Sequence, residues 1–167
     1  MASGEIVEFN KPFETHRPLA RIDVSYYKSK LDVDGWPIPL MDFLHGVKNG
    51  QWRQLVEAVR SACTDETRKA AKGRLPAVTP SGTFLRRMST ELDEHSGLLV
   101  IDIDDLPDSG QAARTRDLMA ADRYCVAAFV SPSGRGVKIL LRVGPCADND
   151  AQHAAWQAAV QYLRDEY

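Results

Sequence analysis

Apolar positions change their spacing along the chain, and each change predicts an element. Over the first forty residues they fall in short β-like stretches, residues 5–9 and 20–27. Pro12, Pro18, Pro37 and Pro39 separate them and break any long regular element. From Leu40 the spacing becomes three and four: Leu40, Phe43, Leu44 and Val47, then Trp52, Leu55, Val56 and Val59. This predicts two amphipathic helices joined by a break at Gly46 and Gly50. Residues 72–84, KGRLPAVTPSGTF, hold two prolines and two glycines and read as an ordered loop with one short strand.

The second half is more regular. Residues 98–104 read as a strand, and the opening run Leu98, Leu99, Val100, Ile101 predicts burial on both faces. Asp108 or Ser109 can cap a helix to about residue 121, and β-branched and aromatic residues predict a strand over 124–130. The turn SPSGRG, residues 131–136, leads into a strand over 137–143, and Asp148 or Asn149 caps a last helix reaching the end of the chain. Strand, helix, strand, strand, helix is the split βαβ order without its final strand, so the expected fold class is α+β. The strand over 98–104 should then keep an open edge, unless the amino-terminal segment covers it, and the missing strand is expected beyond residue 167.

Length and composition narrow the class. The 167 residues favour one domain, divided here into an amino-terminal α/β part, 1–71, and a core, 72–167. With 44% hydrophobic and 26% charged residues, global disorder is excluded. No apolar run approaches the roughly 20 residues of a membrane-spanning helix. The start, with Glu5 and Glu8, lacks the form of a secretory signal, so a soluble cytoplasmic protein is expected. Cys63, Cys125 and Cys146 form no Cys-x-x-Cys pair and read as reduced, mostly buried thiols. Trp52 and Trp156 fit helix stripes and are assigned to the core. A net charge of −2 excludes a basic coat, yet residues 67–90 hold Arg68, Lys69, Lys72, Arg74, Arg86 and Arg87 with no acid. These can track a nucleic-acid backbone or form a solvated surface.

Two constellations carry chemistry. Asp102 and Asp104, two apart in a strand, project from one face. Neighbouring anions repel unless a cation neutralises them, and hard oxygens suit Mg²⁺ or Mn²⁺. The bland alternative is a solvated strand end whose acids face water or pair with nearby arginines. In the turn, Ser131, Ser133, Gly134, Arg135, Gly136 and Lys138 offer backbone N–H groups, hydroxyls and cations to a triphosphate, without forming a Walker loop. The alternative is an ordinary glycine hairpin. Together the two suit phosphoryl or nucleotidyl transfer.

The phrases LPAVTPSGTF (75–84), HSGLLVIDIDDL (95–106) and AFVSPSGRGVKILLRV (128–143), followed by His153, resemble the primase-like VirE amino-terminal domain of the archaeo-eukaryotic primase superfamily. The resemblance covers residues 72–167 and is looser over 5–71. It implies an RRM-like catalytic sheet behind an amino-terminal α/β extension, Mg²⁺ or Mn²⁺, an NTP or dNTP substrate, a single-stranded DNA template, and template-directed polymerisation or primer synthesis. Such domains commonly accompany a helicase, fused or separate, in replication of a mobile element or phage. Asp102 and Asp104 match the first acidic motif and would be catalytic and metal-holding. Ser131, Ser133, Gly134, Arg135 and Gly136 match the nucleotide-binding hairpin, and Lys138 stands where many relatives place a histidine. The superfamily's third acid belongs on the strand after the last helix and is expected beyond Tyr167.

Weaker candidates remain. His153, one turn into the last helix, could face the hairpin and touch the nucleotide; His95 could simply close a turn. His16 and His45 lack partners at metal-ligand spacing. Lys72, Arg74, Arg86 and Arg87 are the template-binding candidates. The competing reading is an incomplete, non-catalytic module that grips nucleic acid or a helicase. A receiver-like phosphoacceptor is contradicted by the hairpin.

Overall fold

The computed structural model describes residues 18–167, so the expected strand over 5–9 and His16 lie outside it. The described chain is a mixed α+β structure with three small antiparallel sheets and five α-helices. In the first sheet, β1 (Asp23–Tyr27) lies between β2 (Trp36–Pro39) and β3 (Ala77–Thr79). Pro37 and Pro39 have no N–H to donate, which suits β2 to an edge.

Leucine, phenylalanine and valine at helical spacing form α1 (Leu40–Lys48), and leucine and valine form α2 (Arg53–Arg60), as expected. The break falls at Asn49 and Gly50, while Gly46 is buried inside α1. A Cβ on Gly46 would stand 2.8 Å from the Trp52 ring, so its small size seats that indole. A helix the sequence reading missed, α3 (Asp65–Gly73), starts at a capping box between Thr64 and Thr67. None of its residues is buried, so no apolar stripe announced it. The region read as a loop with one strand holds β3 and β4 (Gly82–Phe84), and β4 pairs with β5 (Leu92–His95). Buried Ser25 ties the first two sheets together: its Oγ accepts from Phe84 N at 2.8 Å.

The third sheet follows the predicted order closely. β6 (Leu98–Ile103) leads to α4 (Ser109–Ala120), then β7 (Cys125–Val130), β8 (Val137–Arg142) and α5 (Asn149–Glu166). Asp108 caps α4 by accepting Gln111 N, and Asp148 caps α5 by accepting Ala151 N, both at 2.8 Å. The strand order is β6-β8-β7, and among the described residues nothing pairs with the outer edge of β6.

Both faces of this sheet are used, as the apolar run from Leu98 predicted. Leu99, Ile101, Val137, Ile139 and Leu141 pack on Ala112 and Met119 of α4 and Ala159 of α5. On the opposite face Leu98 and Leu140 meet Ile22, Val24 and Leu40 from the amino-terminal part. Each such leucine, fully buried, contributes about 1.5–3 kcal/mol. That cover stops short of one end of the face, where Asp102 and Lys138 are half-exposed.

Two assignments to the interior are corrected. Trp156 is 44% exposed, whereas Trp52 packs against Tyr26 and Phe43. The three thiols are free, but Cys63 is exposed and the other two are only half-buried.

Candidate functional site

Register builds the site. Antiparallel pairing sets Asp102 of β6 directly opposite Lys138 of β8, and the Lys138 ammonium lies 2.7 Å from Asp102 Oδ2. The counter-charge expected from a metal is thus supplied to Asp102 by a lysine of the next strand. Asp104 lies just past the end of β6, on the same face. A Cβ on Gly136 would stand 2.8 Å from the Ile103 carbonyl oxygen, 3.0 Å from Asp104 Oδ1 and 3.1 Å from Ser131 Oγ. Glycine here therefore lets an acid, a hydroxyl and the hairpin backbone converge.

The next residue, Asp105, is left-handed with φ 57° and turns the chain away from the strand. The acidic turn is then clamped to the hairpin. Leu106 N donates to the Arg135 carbonyl at 2.9 Å, and Arg135 Nε donates to the Leu106 carbonyl at 3.0 Å. Arg135 was expected to point at phosphate; part of its guanidinium holds the two loops together instead.

The hairpin differs from a ready-made anion cradle. Gly134 N, at φ 78°, donates to the Ser131 carbonyl at 2.9 Å, and Ser131 N donates to the Gly136 carbonyl at 2.8 Å. Arg135 N approaches Ser133 Oγ at 3.4 Å, and the Ser131 and Ser133 hydroxyls lie 2.9 Å apart. The Ser131, Gly134 and Arg135 amides are turned into the loop, so the expectation that glycine N–H groups aim at an anion fails for Gly134. What the loop presents is its rim of side chains. Arg60, at the end of α2, joins that rim by donating from Nε to the Pro132 carbonyl at 3.3 Å. Sequence reasoning missed it because only the fold brings residues 72 positions apart together.

The other candidates lie elsewhere. His153 stacks on Trp156, 6.4 Å between ring centroids, and both line a shallow cleft of about 370 Å³ with Ser81, Leu99, Val100 and Gln152. This is beside β6, next to Leu99 and Val100, and the hairpin residues are not among its walls. His95 closes a turn as expected: Gly97 N donates to its Nδ1 at 2.9 Å, which leaves Nε2 to donate to Gln152 Oε1 at 2.7 Å. His45 is exposed on α1.

Of the template-binding candidates, Arg87 donates to the Lys30 carbonyl at 2.6 Å with its guanidinium over the Tyr27 ring, and Arg86 lies 3.6 Å from Asp34. Both tether the loop before β2. Lys72 and Arg74 are exposed at the end of α3, and Arg68 is paired with Asp65.

Strongly shifted ionisations lie outside this site. Burial, then the Asp122 carboxylate, push Tyr162 up to about 12 and Cys125 up to about 11.

The donor set decides how a metal would fit. Asp102 and Asp104 offer hard carboxylate oxygens suited to Mg²⁺ or Mn²⁺, which keep waters and substrate oxygens in their shells. Among the described residues no group of three or more His, Cys, Asp or Glu is arranged to hold an ion. Asp102 and Asp104 are the residues that would hold such an ion, once Lys138 released Asp102, and they form no all-protein cage.

Fold and site together define an α+β protein with an acid-ended antiparallel sheet whose glycine hairpin lies beside Asp104. The family described as BT4734-like, N-terminal domain, matches residues 70–167, and the chain belongs to that family. No curated protein and no solved structure matches it.

Proposed function

We propose that the chain is a nucleotidyltransferase domain of the primase-polymerase type, akin to the VirE amino-terminal domain, with the RRM-like sheet at its centre. The observation that carries this reading is the placing of two contacts at one end of one sheet: Lys138 on Asp102, and Asp104 with Ser131 around Gly136. Asp102 and Asp104 would hold Mg²⁺ or Mn²⁺, which when bound would supply positive charge to offset that of the triphosphate. Ser133, Arg135, Lys138 and Arg60 form a cationic, hydroxyl-bearing rim for the triphosphate of an NTP or dNTP. The 3′-hydroxyl of a primer or initiating nucleotide, paired to a single-stranded DNA template, attacks the α-phosphorus. Its oxygen forms the new P–O bond, the bond to the bridging oxygen breaks, pyrophosphate leaves, and the hydroxyl proton passes to solvent.

Lys69, Lys72 and Arg74 are the exposed cations of the basic run left to contact template, and His153 with Trp156 borders β6. In this reading the domain works in the cytoplasm beside a helicase, in replication of a mobile element or phage. Among the described residues no helix is long and apolar enough to cross a membrane.

The test is Mg²⁺- or Mn²⁺-dependent nucleotide incorporation on single-stranded DNA, comparing the natural chain with Asp102→Asn and Asp104→Asn. Incorporation by the natural chain that either substitution abolishes supports the assignment; equal signals from all three end it.

A second reading is favoured by one observation, the prior neutralisation of Asp102 by Lys138. It is a non-catalytic module that binds nucleic acid or a helicase, and it predicts metal-independent, salt-sensitive binding of single strands.

A further inference from the structure

We infer that Lys138 is the resident counter-ion of the acidic site: its ammonium neutralises Asp102 until a divalent cation takes the carboxylate, and then turns to the phosphate that arrives with it. This rests on the nucleotidyl-transfer reading and adds a residue whose role differs between the empty and loaded site.

The geometry supplies three reasons. The contact is a single point at 2.7 Å between groups that are 36% and 44% exposed, so water can replace either partner. Exposed pairs of this kind are held weakly, and a lysine, with four flexible methylenes and no planar fork, leaves a carboxylate more readily than an arginine. On its other flank Lys138 is paired in register with Phe129 of β7, an apolar neighbour that offers no competing acid. Its ion-pair partner is Asp102 on β6, and Asp104 follows two residues further along the same chain segment, by Gly136.

A cation held by the carboxylates would repel the ammonium, which, tethered to β8, would be free to meet the incoming phosphate instead. Charge and position together make Lys138 an obstacle to metal alone and a contact for metal with nucleotide.

These opposite effects make the inference testable. Mn²⁺ binding, read by the electron-spin signal of free Mn²⁺, is compared for the natural chain, Lys138→Met and Asp102→Asn, with far-UV circular dichroism to verify folding. Removing one unit charge at a half-exposed site should tighten Mn²⁺ about fivefold in Lys138→Met. In the same variant a fluorescent nucleoside triphosphate should bind several-fold more weakly at saturating Mn²⁺, and Asp102→Asn should lose Mn²⁺. Unchanged or weaker Mn²⁺ binding by Lys138→Met, with nucleotide incorporation retained by the natural chain, overturns the counter-ion role alone. Failure of the natural chain and of Lys138→Met to bind millimolar Mn²⁺, with or without nucleotide, removes the metal site, and the inference and the proposed chemistry fall together.

Discussion

Gly136 is the residue on which the site's geometry turns. Its φ is not the reason; space is. A methyl group there would press on the Ile103 carbonyl at 2.8 Å, and that backbone oxygen cannot swing away as a side chain could. Gly136→Ala should therefore part the ends of β6 and β8, lower stability by about 1–3 kcal/mol, and shift Asp104. Urea unfolding reads the first effect. Unchanged stability would mean that the acid and the hairpin are less tightly apposed than described. At this scale the sequence showed which residues matter better than what each touches. Asp102, Ser131 and Lys138 were named from residue type, but the Asp102 to Lys138 pairing depends on strand register, and Arg60 reaches Pro132 only through the tertiary fold. The alternative in which the acids find an internal cation was correct in kind for Asp102, with a lysine in place of arginine.

Elements were legible where periodicity and caps agreed. Asp108 and Asp148 were each read as one of two candidate caps, beside Ser109 and Asn149, and both accept the amide three residues on. Asp148→Ala should cost about 1 kcal/mol and lower Tm by roughly 2–4 °C in a chain of this size; an unchanged Tm would show that the start of α5 is held by packing alone. Elements were missed where polar residues carried them. α3 buries nothing and depends on its threonine cap, β5 carries two acids in four residues, and β2 holds two prolines at an edge. The stripe rule put Trp156 in the core because it detects a face, not what covers it.

Across the whole molecule, two apolar clusters on opposite faces of the third sheet join the parts, one under α4 and α5 and the other under β1 and α1. The carboxyl-terminal helix is also anchored by a polar contact: buried Asp122, beyond α4, accepts the Tyr162 hydroxyl at 2.7 Å and the Tyr167 hydroxyl at 3.0 Å. Because the folded chain holds Tyr162 protonated up to about 12, against about 10 unfolded, its contribution is complete below pH 10 and is lost as pH rises towards 12. Denaturant melts across this window should show a steeper loss for the natural chain than for Tyr162→Phe; equal slopes would remove the tyrosine from the account. The central claim is that Asp102 and Asp104 bind a divalent cation together with nucleoside triphosphate against the hairpin, and calorimetric titration of the triphosphate with and without Mg²⁺ tests it most directly. Binding that requires the cation and disappears in Asp102→Asn and Asp104→Asn is predicted, whereas binding indifferent to the cation and to both substitutions would contradict it.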